Sequence, residues 1–188
     1  MSNSNINKAV TVLQQGGVIA YPTEAVFGLG CDPQQRESIQ KLLDIKQREK
    51  EKGLILIASD VSQIMPYIDI SKLSDAMWNE VQSSWPGPVT WLIPANKNVS
   101  EMIRGKHESV AVRVTAHPLV KKLCTAFAKA IISTSANRSH QPPGRTADEV
   151  RNIFADQLDY VLDGELGKLN KPTEIRDAVS GNIIRPSK

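Results

Sequence analysis

Short apolar runs rich in β-branched residues recur along the 188-residue chain, and turn residues bound each of them. Such runs predict strands, because branched side chains suit a pleated, half-buried surface. The predicted strands cover residues 18–21, 54–58, 89–93, 110–115, 131–133, 160–162, 175–179 and 183–184. The fold must therefore contain a sheet whose strands come from the whole length of the sequence.

Helical patterns lie between several of these strands, at residues 39–46, 71–83, 118–129 and 147–155. Pro118 suits a first helical turn, and Thr146 with Glu149 forms a candidate capping box. The last two strands flank Gly181 and predict a hairpin. We therefore expect an α/β fold in which a twisted, mixed β-sheet is flanked by helices, with one domain covering residues 1–188.

Composition favours a cytoplasmic protein with no membrane segment. Cys31 and Cys124 show no metal-ligand spacing, which predicts free thiols in a reducing compartment. The N-terminus lacks the basic and apolar regions of a secretory signal, and no apolar run is long enough to span a bilayer. A net charge of +3 permits a local basic face but does not indicate nucleic-acid binding.

The stretch Ser133-Thr134-Ser135-Ala136-Asn137 follows two isoleucines. In an extended chain Ser133, Ser135 and Asn137 would point to the same side. Small polar groups in such a row either bond to nearby backbone, as in a turn, or bind a ligand. The sequence leaves both interpretations open.

Cationic residues stand at two other strand boundaries. Lys46 and Arg48 lie where a helix gives way to a strand, either as a solvated helix end or as a phosphate-binding pair. Arg113 interrupts an apolar strand on the face opposite Val110, Val112 and Val114. An arginine there must face water or pair with an anion, because an unpaired buried charge is too costly.

Two further stretches end strands with polar residues. In the first, residues 18–30, a strand leads into Thr23 and Glu24 and then to two glycines, which indicates a strand followed by a turn. The second lies near the C-terminus and contains Thr173, Arg176 and Arg185. The chain has no P-loop, dinucleotide-binding or zinc-protease motif and no nucleophile elbow. It offers phosphate-binding and hydroxyl-binding groups without an obvious nucleophile.

Together these segments resemble the YrdC/TsaC family of threonylcarbamoyl-AMP synthases from about Val18 to Arg185. The matching residues are YPTEAVFGLG, the K-x-R of Lys46 and Arg48, GLILIAS, WPGPVTWLIPA, VAVRVTAHPLV, the S-x-N of Ser135 and Asn137, and PTEIRDAVSGNIIRP. The resemblance implies the YrdC/RibB fold. Because the chain ends soon after Arg185, it also implies the short bacterial form of the family.

The resemblance implies a site for ATP and a site for threonine. The ATP contacts it implies are Lys46, Arg48, Lys52, Ser109, Ser135, Asn137 and Arg185, and Lys46 and Arg48 would also be the catalytic cations. The threonine contacts it implies are Thr23, Arg113, Ser133 and Thr173, and no metal ligand is expected in the protein. Lys52 and the loop after Asn137 depart from the pattern of longer relatives.

The activity implied by the resemblance converts L-threonine, bicarbonate or CO2, and ATP with Mg2+ into threonylcarbamoyl-AMP and pyrophosphate. A tRNA-modifying complex of the TsaB, TsaD and TsaE type would then use the product for N6-threonylcarbamoyladenosine at position 37 of tRNAs that read ANN codons. The alternative function is a non-catalytic module that binds double-stranded RNA or tRNA through phosphate contacts.

Overall fold

The computed structural model describes residues 3–169 and 171–187, so residues 1, 2, 170 and 188 of the predicted domain lie outside it. Its helices are α1 (Asn3–Gln14), α2 (Arg36–Lys46), α3 (Asp75–Ser83), α4 (Glu101–Arg104), α5 (Pro118–Phe127) and α6 (Ala147–Phe154). Its strands are β1 (Ile19–Pro22), β2 (Phe27–Gly30), β3 (Ile55–Ala58), β4 (Thr90–Pro94), β5 (Ser109–Val114), β6 (Ile131–Ser135), β7 (Tyr160–Val161), β8 (Ile175–Asp177) and β9 (Ile183–Arg185).

The described strands form a nine-stranded sheet in the order β7-β1-β2-β6-β3-β5-β4-β8-β9. The pairs β1–β7, β3–β5 and β4–β8 are parallel, and the other neighbours are antiparallel. The predicted mixed sheet is therefore confirmed, as is the terminal hairpin between β8 and β9. Gly181 has a φ of 74° in that hairpin, a left-handed conformation that glycine adopts without strain.

Side chains alternate between the two faces of the sheet along each strand, so the core has two layers, one on each face. On one face the sheet packs against the apolar side chains of α2 and α6, including Leu42 and Phe154. On the other face Ile57 and Ile131 pack against α1 and α5, including Leu123. Helices therefore flank both sides of the sheet, as predicted, and Cys31 and Cys124 are buried free thiols.

The second face is covered only in part by α1 and α5. Ser133 follows Ile131 on that face of β6, and Arg113 and Ala111 lie on the same face of β5 because their neighbours Val112 and Val114 enter the opposite core layer. These polar and small side chains line an open cavity beside the covered region. The alternation predicted for Arg113 is confirmed.

Two elements differ from the prediction. Residues Phe27–Gly30 are strand β2, which pairs with both β1 and β6, whereas the two glycines suggested a turn. Phe27 and Leu29 enter the core, so the period-two pattern outweighs the weak strand propensity of glycine. Helix α1 was not predicted, because its polar residues mask the helical spacing of Ile6, Ala9 and Leu13.

Helix α3 begins later than predicted. Ile70–Lys72 forms a short 3-10 turn, and the hydroxyl of Ser74 accepts a hydrogen bond from the backbone N–H of Met77 and so caps the helix at Asp75. The Thr146 half of the predicted capping box of α6 is confirmed, since the Thr146 hydroxyl accepts from the Glu149 N–H. The Glu149 carboxylate accepts from the N–H of Arg145, one residue before the N-cap. Among the described helices, none is long and apolar enough to cross a membrane.

Candidate active site

A cavity of about 510 Å³ opens on the uncovered part of the sheet. Its lining combines residues of strands β2, β5 and β6 with loop residues from the first hairpin, from the middle of the chain and from the C-terminal region. Among the described residues that line it are five lysines and arginines, and none is an aspartate or glutamate: the cations are Arg48, Lys52, Arg104, Arg113 and Arg185. The cavity is therefore suited to an anionic ligand.

The structure brings ten of the eleven predicted site residues to this cavity. They are Thr23, Arg48, Lys52, Ser109, Arg113, Ser133, Ser135, Asn137, Thr173 and Arg185. The remaining residue, Lys46, lies behind the cavity wall. Residues far apart in the chain thus meet in one place.

Lys46 is buried at the C-terminal end of α2. Its Nζ donates to the backbone carbonyl of Ser135, to the carbonyl of Asn137 at 2.7 Å and to Oδ1 of Asn137 at 3.3 Å. Burial, and secondarily the charge of Arg48, lower the pKa of Lys46 to about 7. Lys46 therefore fixes the end of β6, and its link to the cavity runs through Asn137.

The loop after β6 bonds back to the same helix end. The N–H of Ser139 donates to the carbonyl of Lys46 at 3.0 Å, and its hydroxyl donates to the carbonyl of Gln47 at 2.8 Å. Together with the Lys46 ammonium, these bonds join the K-x-R and S-x-N segments into one unit. The loop that departs from the family pattern therefore has a structural role at the site.

The turn after α2 directs Arg48 to the cavity. Gln47 adopts the left-handed conformation with φ 53° and ψ 46°. The N–H of Arg48 donates to the carbonyl of Leu43. This pair of features is a common way to end a helix, although glycine is the usual residue at the left-handed position. The chain leaves the helix at Gln47 and places the guanidinium of Arg48 among the lining residues.

Arg48 and Arg185 contact neutral oxygens. Nη2 of Arg48 donates to the carbonyl of Gly53 at 3.0 Å, and its buried Nε has no hydrogen-bond partner in the described part of the chain. Nη2 of Arg185 donates to the carbonyl of Thr173 at 2.7 Å. Burial lowers the pKa of both side chains, and for Arg185 the charge of Arg113 adds to this. Both cations would gain from an anionic partner.

Arg113 is buried and held by three side chains. Its Nη1 donates to the hydroxyl of Thr173 at 2.7 Å and to that of Thr90 at 3.3 Å, while Nη2 lies 3.2 Å from Oε2 of Glu24. Its Nε, also buried, has no hydrogen-bond partner among the described residues. The sequence left two environments open for the Arg113 side chain, water or an anion. In the structure it pairs with an anion, the carboxylate of Glu24.

Glu24 is a site residue that the sequence reasoning did not single out. It lies in the turn between β1 and β2, and its Oε1 accepts from the hydroxyl of Thr115 at 2.6 Å. That hydroxyl also accepts from the N–H of His117, the N-cap residue of α5. The signal in the sequence is a carboxylate beside Thr23 in an otherwise apolar segment, but its partner is distant in the chain.

The Ser133–Asn137 stretch combines both interpretations offered by the sequence, a turn bonded to nearby backbone and a wall of a ligand cavity. Asn137 is held as in a turn, because its Nδ2 donates to the carbonyls of Arg138 and Gln141 and its Oδ1 accepts from the hydroxyl of Ser135. Ser133 is buried and, with Ser135 and Asn137, lines the cavity. The turn therefore holds a row of hydroxyl and amide groups at the cavity wall.

Arg176 does not join the site. It forms ion pairs with Glu174 and Glu80 and lies over the ring of Trp91, away from the lining residues. The described residues also contain no group of three or more histidine, cysteine, aspartate or glutamate side chains placed to hold a metal ion.

The fold and the cavity define a class of protein: a mixed α/β sheet that presents a cationic ligand-binding cavity on an exposed part of one face. Residues 11–187 match the family model Sua5/YciO/YrdC, described as telomere recombination. A threonylcarbamoyl-AMP synthase from Vibrio campbellii is 52% identical over 181 residues, covering 96% of this chain and 98% of its own.

Solved structures give the same result. Sua5 of P. abyssi, as an H234A/Y235A variant, superposes with a TM-score of 0.93 at 25% identity over 100% of this chain and 58% of its own length. The same protein complexed with L-threonine gives a TM-score of 0.87 at 25% identity, covering 94% of this chain and 52% of the other. The chain belongs to the Sua5/YciO/YrdC family.

Proposed function

We propose that the protein is a threonylcarbamoyl-AMP synthase, which joins L-threonine, bicarbonate or CO2, and ATP and releases pyrophosphate. The observation that carries this proposal is the cavity, whose described lining combines five cations with a row of hydroxyl groups and lacks a carboxylate. Relatives at about half identity over nearly the whole chain bear the name of this enzyme. A structural relative at 25% identity is complexed with L-threonine.

The nucleotide would lie against the cationic side of the cavity. Arg48 and Arg185 offer planar donors to phosphate oxygens, and Lys52 adds a charge that is shared with Glu49 at 3.4 Å. Ser109, Ser135 and Asn137 supply hydroxyl and amide groups for the remaining polar atoms of ATP. Lys46 contributes by holding Ser135 and Asn137 in place.

Threonine would lie beside Arg113. Because Nε of Arg113 is buried without a partner among the described residues, a substrate carboxylate could satisfy it and form a charge-assisted pair. The hydroxyl of Thr173 accepts from Arg113 and can still donate, and Thr23 donates to the carbonyl of Val26 and can still accept. Ser133 completes the set of hydroxyls around the amino acid.

The reaction needs alignment more than a protein nucleophile. The neutral amine of threonine attacks the carbon of CO2 and loses a proton, which gives a carbamate. A carbamate oxygen then attacks the α-phosphorus of ATP, and the bond to pyrophosphate breaks. Arg48 and Arg185 would stabilise the charge that moves onto the leaving phosphates, while Arg113 keeps the amine in reach.

Mg2+ would enter with the triphosphate and would neutralise part of its charge. Magnesium prefers oxygen ligands and keeps several waters, so phosphate oxygens with water suffice to hold it. The described lining offers hydroxyl and amide oxygens but no carboxylate, which fits an ion that arrives with ATP and not a resident one.

The product is a mixed carbamic–phosphoric anhydride and is therefore reactive toward amines. We place its consumption in the cytoplasm, by a complex of the TsaB, TsaD and TsaE type that modifies adenosine at position 37 of tRNA. Direct contact of this protein with tRNA or double-stranded RNA remains a separate proposal, supported only by the excess of positive charge at the cavity.

Pyrophosphate release tests the activity. We expect release only when threonine, bicarbonate and ATP with Mg2+ are all present, and its loss when any one of them is left out. Release that persists without threonine would contradict the proposal, because it would identify a simple ATP pyrophosphatase.

A further inference from the structure

Gly28 lies in the middle of β2, directly opposite Ser135 of β6. Its neighbours Phe27 and Leu29 enter the core on the other face of the sheet. Gly28 therefore faces the cavity, of which it is a lining residue. A side chain at this position would project toward the ligand.

The backbone does not explain the glycine. Gly28 is extended strand, with no positive φ, so an alanine could adopt its conformation. At Gly30, in contrast, a Cβ would come within 2.5 Å of the carbonyl oxygen of Ile132, so packing alone excludes a side chain there. A Cβ at Gly28 would meet only ordinary or slightly tight contacts.

Those contacts outline a small recess. A Cβ on Gly28 would lie 3.2 Å from Cγ2 of Thr23, 3.4 Å from the carbonyl oxygen of Thr134 and 3.5 Å from Oγ of Ser133. We call the space between Thr23, Gly28 and Ser133 the Gly28 recess. One of its walls is a methyl group and the other is a hydroxyl.

The chemistry of the walls matches a particular side chain. The hydroxyl of Thr23 donates to the carbonyl of Val26, which leaves its methyl group at the recess. An amino acid whose β-carbon carries one methyl and one hydroxyl can place the first against Thr23 and the second against Ser133. The Nε–H of Arg113, in the same cavity, has no partner among the described residues and would be the donor to the carboxylate.

We propose that the Gly28 recess receives the β-substituents of the amino acid substrate and that Gly28 sets the size that the site accepts. This inference rests on the proposed function, and adds the residue that limits the substrate. It predicts that a side chain placed in the recess lowers activity with some amino acids more than with others, while ATP binding is retained.

Gly28→Ala tests the proposal with threonine, serine and glycine as substrates. We expect the ratio of kcat/KM for threonine to that for serine to fall by about tenfold, since a pocket changed by one methyl group shifts selectivity by that order. Glycine, which has no β-substituent, should be affected least. The KM for ATP and the thermal unfolding midpoint should stay near those of the wild type. Equal losses for all three amino acids, or an unchanged ratio, would overturn the proposal.

Thr23→Ser provides a second test in the opposite direction. It removes the methyl wall and keeps the hydroxyl, so it should raise the use of β-hydroxynorvaline, which is one methylene longer, relative to threonine. An unchanged ratio between these two substrates would contradict the recess.

Failure of the proposed function can be told apart from failure of the recess. If the wild type forms no product, calorimetric titration with the same amino acids replaces turnover. Threonine binding that Gly28→Ala weakens more than serine binding would then support the recess while the synthase activity is rejected. A wild type that binds none of these amino acids would overturn both.

Discussion

At the scale of single residues, the site is built from cations that have unequal partners. Arg113 is paired with Glu24, whereas Arg48, Arg185 and Lys46 contact neutral oxygens. We interpret this difference as a division of labour. The compensated Arg113 would serve the amino acid, whose net charge is near zero. Arg48 and Arg185 would serve the triphosphate directly, and Lys46 would do so through Ser135 and Asn137.

This division predicts opposite effects of Arg113→Ala and Lys46→Ala. Arg113→Ala should raise the KM for threonine by roughly tenfold or more, because a hydrogen bond to a charged group is worth about 1.5–3 kcal/mol. Its KM for ATP should change less. Lys46→Ala should do the reverse, because it releases the segment that carries Ser135 and Asn137.

Separate titrations with threonine and ATP measure the two effects, and Arg113→Lys is the matched control. Lysine preserves a positive charge opposite Glu24 and removes the planar fork, so it distinguishes loss of the substrate contact from the cost of an unpaired buried carboxylate. Equal losses for both substrates in both alanine variants would contradict the division of labour.

The buried ammonium of Lys46 predicts a dependence of stability on pH. Folding lowers the pKa of Lys46 to about 7, mainly through burial, whereas an unfolded lysine titrates near about 10.4. Between these values the unfolded chain binds one more proton than the folded chain. The free energy of unfolding therefore increases as pH rises, by up to about 1.4 kcal/mol per pH unit from this group.

Urea unfolding of the wild type and of Lys46→Met isolates that contribution. The measurements cover pH 7 to 9, a range within the window set by the two pKa values. The stability of the wild type relative to Lys46→Met should increase with pH. A difference between the two proteins that is constant, or that decreases with pH, would show that the ammonium stays charged in the folded protein.

At the scale of elements, the end of α2 decides where Arg48 points. Gln47 occupies a left-handed conformation, which costs a side chain with a Cβ about 1–2 kcal/mol. Gln47→Gly should therefore keep or slightly increase stability and leave ATP use unchanged. Gln47→Val should lower the free energy of unfolding by about 1–2 kcal/mol, because a branched side chain fits this conformation worst, and should raise the KM for ATP.

Thermal unfolding and ATP titration of the two Gln47 variants provide the measurement. The variants form a matched pair, since both remove the amide of an exposed side chain and they differ most in the cost of the left-handed conformation. If valine and glycine gave the same stability and the same KM, the left-handed turn would have no part in placing Arg48.

Sequence patterns predicted most elements because their signals are local. Strand β5 alternates valines with Ser109, Ala111 and Arg113, and α6 carries its own N-cap, Thr146, so neither depends on distant parts of the chain. Strand β2 was missed because its two glycines resemble a turn until β1 and β6 are known to flank it. Helix α1 was missed because burial against α5, and not its own composition, selects its apolar face.

The site was predictable where residue type alone restricts the chemistry. An arginine within an apolar strand demanded an anion or water, and the structure places Glu24 beside it. The identity of that partner was beyond reach from sequence, because the pair joins a hairpin turn to a distant strand. The same limit applies to Lys46, whose contacts with the end of β6 could not be predicted from residue type.

At the scale of the whole molecule, the sheet gathers residues from both ends of the chain into one cavity. Thr23 comes from the first hairpin, Arg113 from a central strand, and Arg185 from the last strand. Folding and substrate binding should therefore be coupled across the molecule. The strand β9 that carries Arg185 lies at one of the two sheet edges, and Ile183 and Ile184 on it are more than half exposed.

The central claim is that one cavity joins three substrates, and mass spectrometry of the product tests it most directly. The purified protein is incubated with ATP, Mg2+, threonine and isotopically labelled bicarbonate. We expect threonylcarbamoyl-AMP that carries the label, together with an equal amount of pyrophosphate. Absence of this product, combined with binding to structured RNA that weakens steeply with salt, would contradict the claim and favour the RNA-binding module.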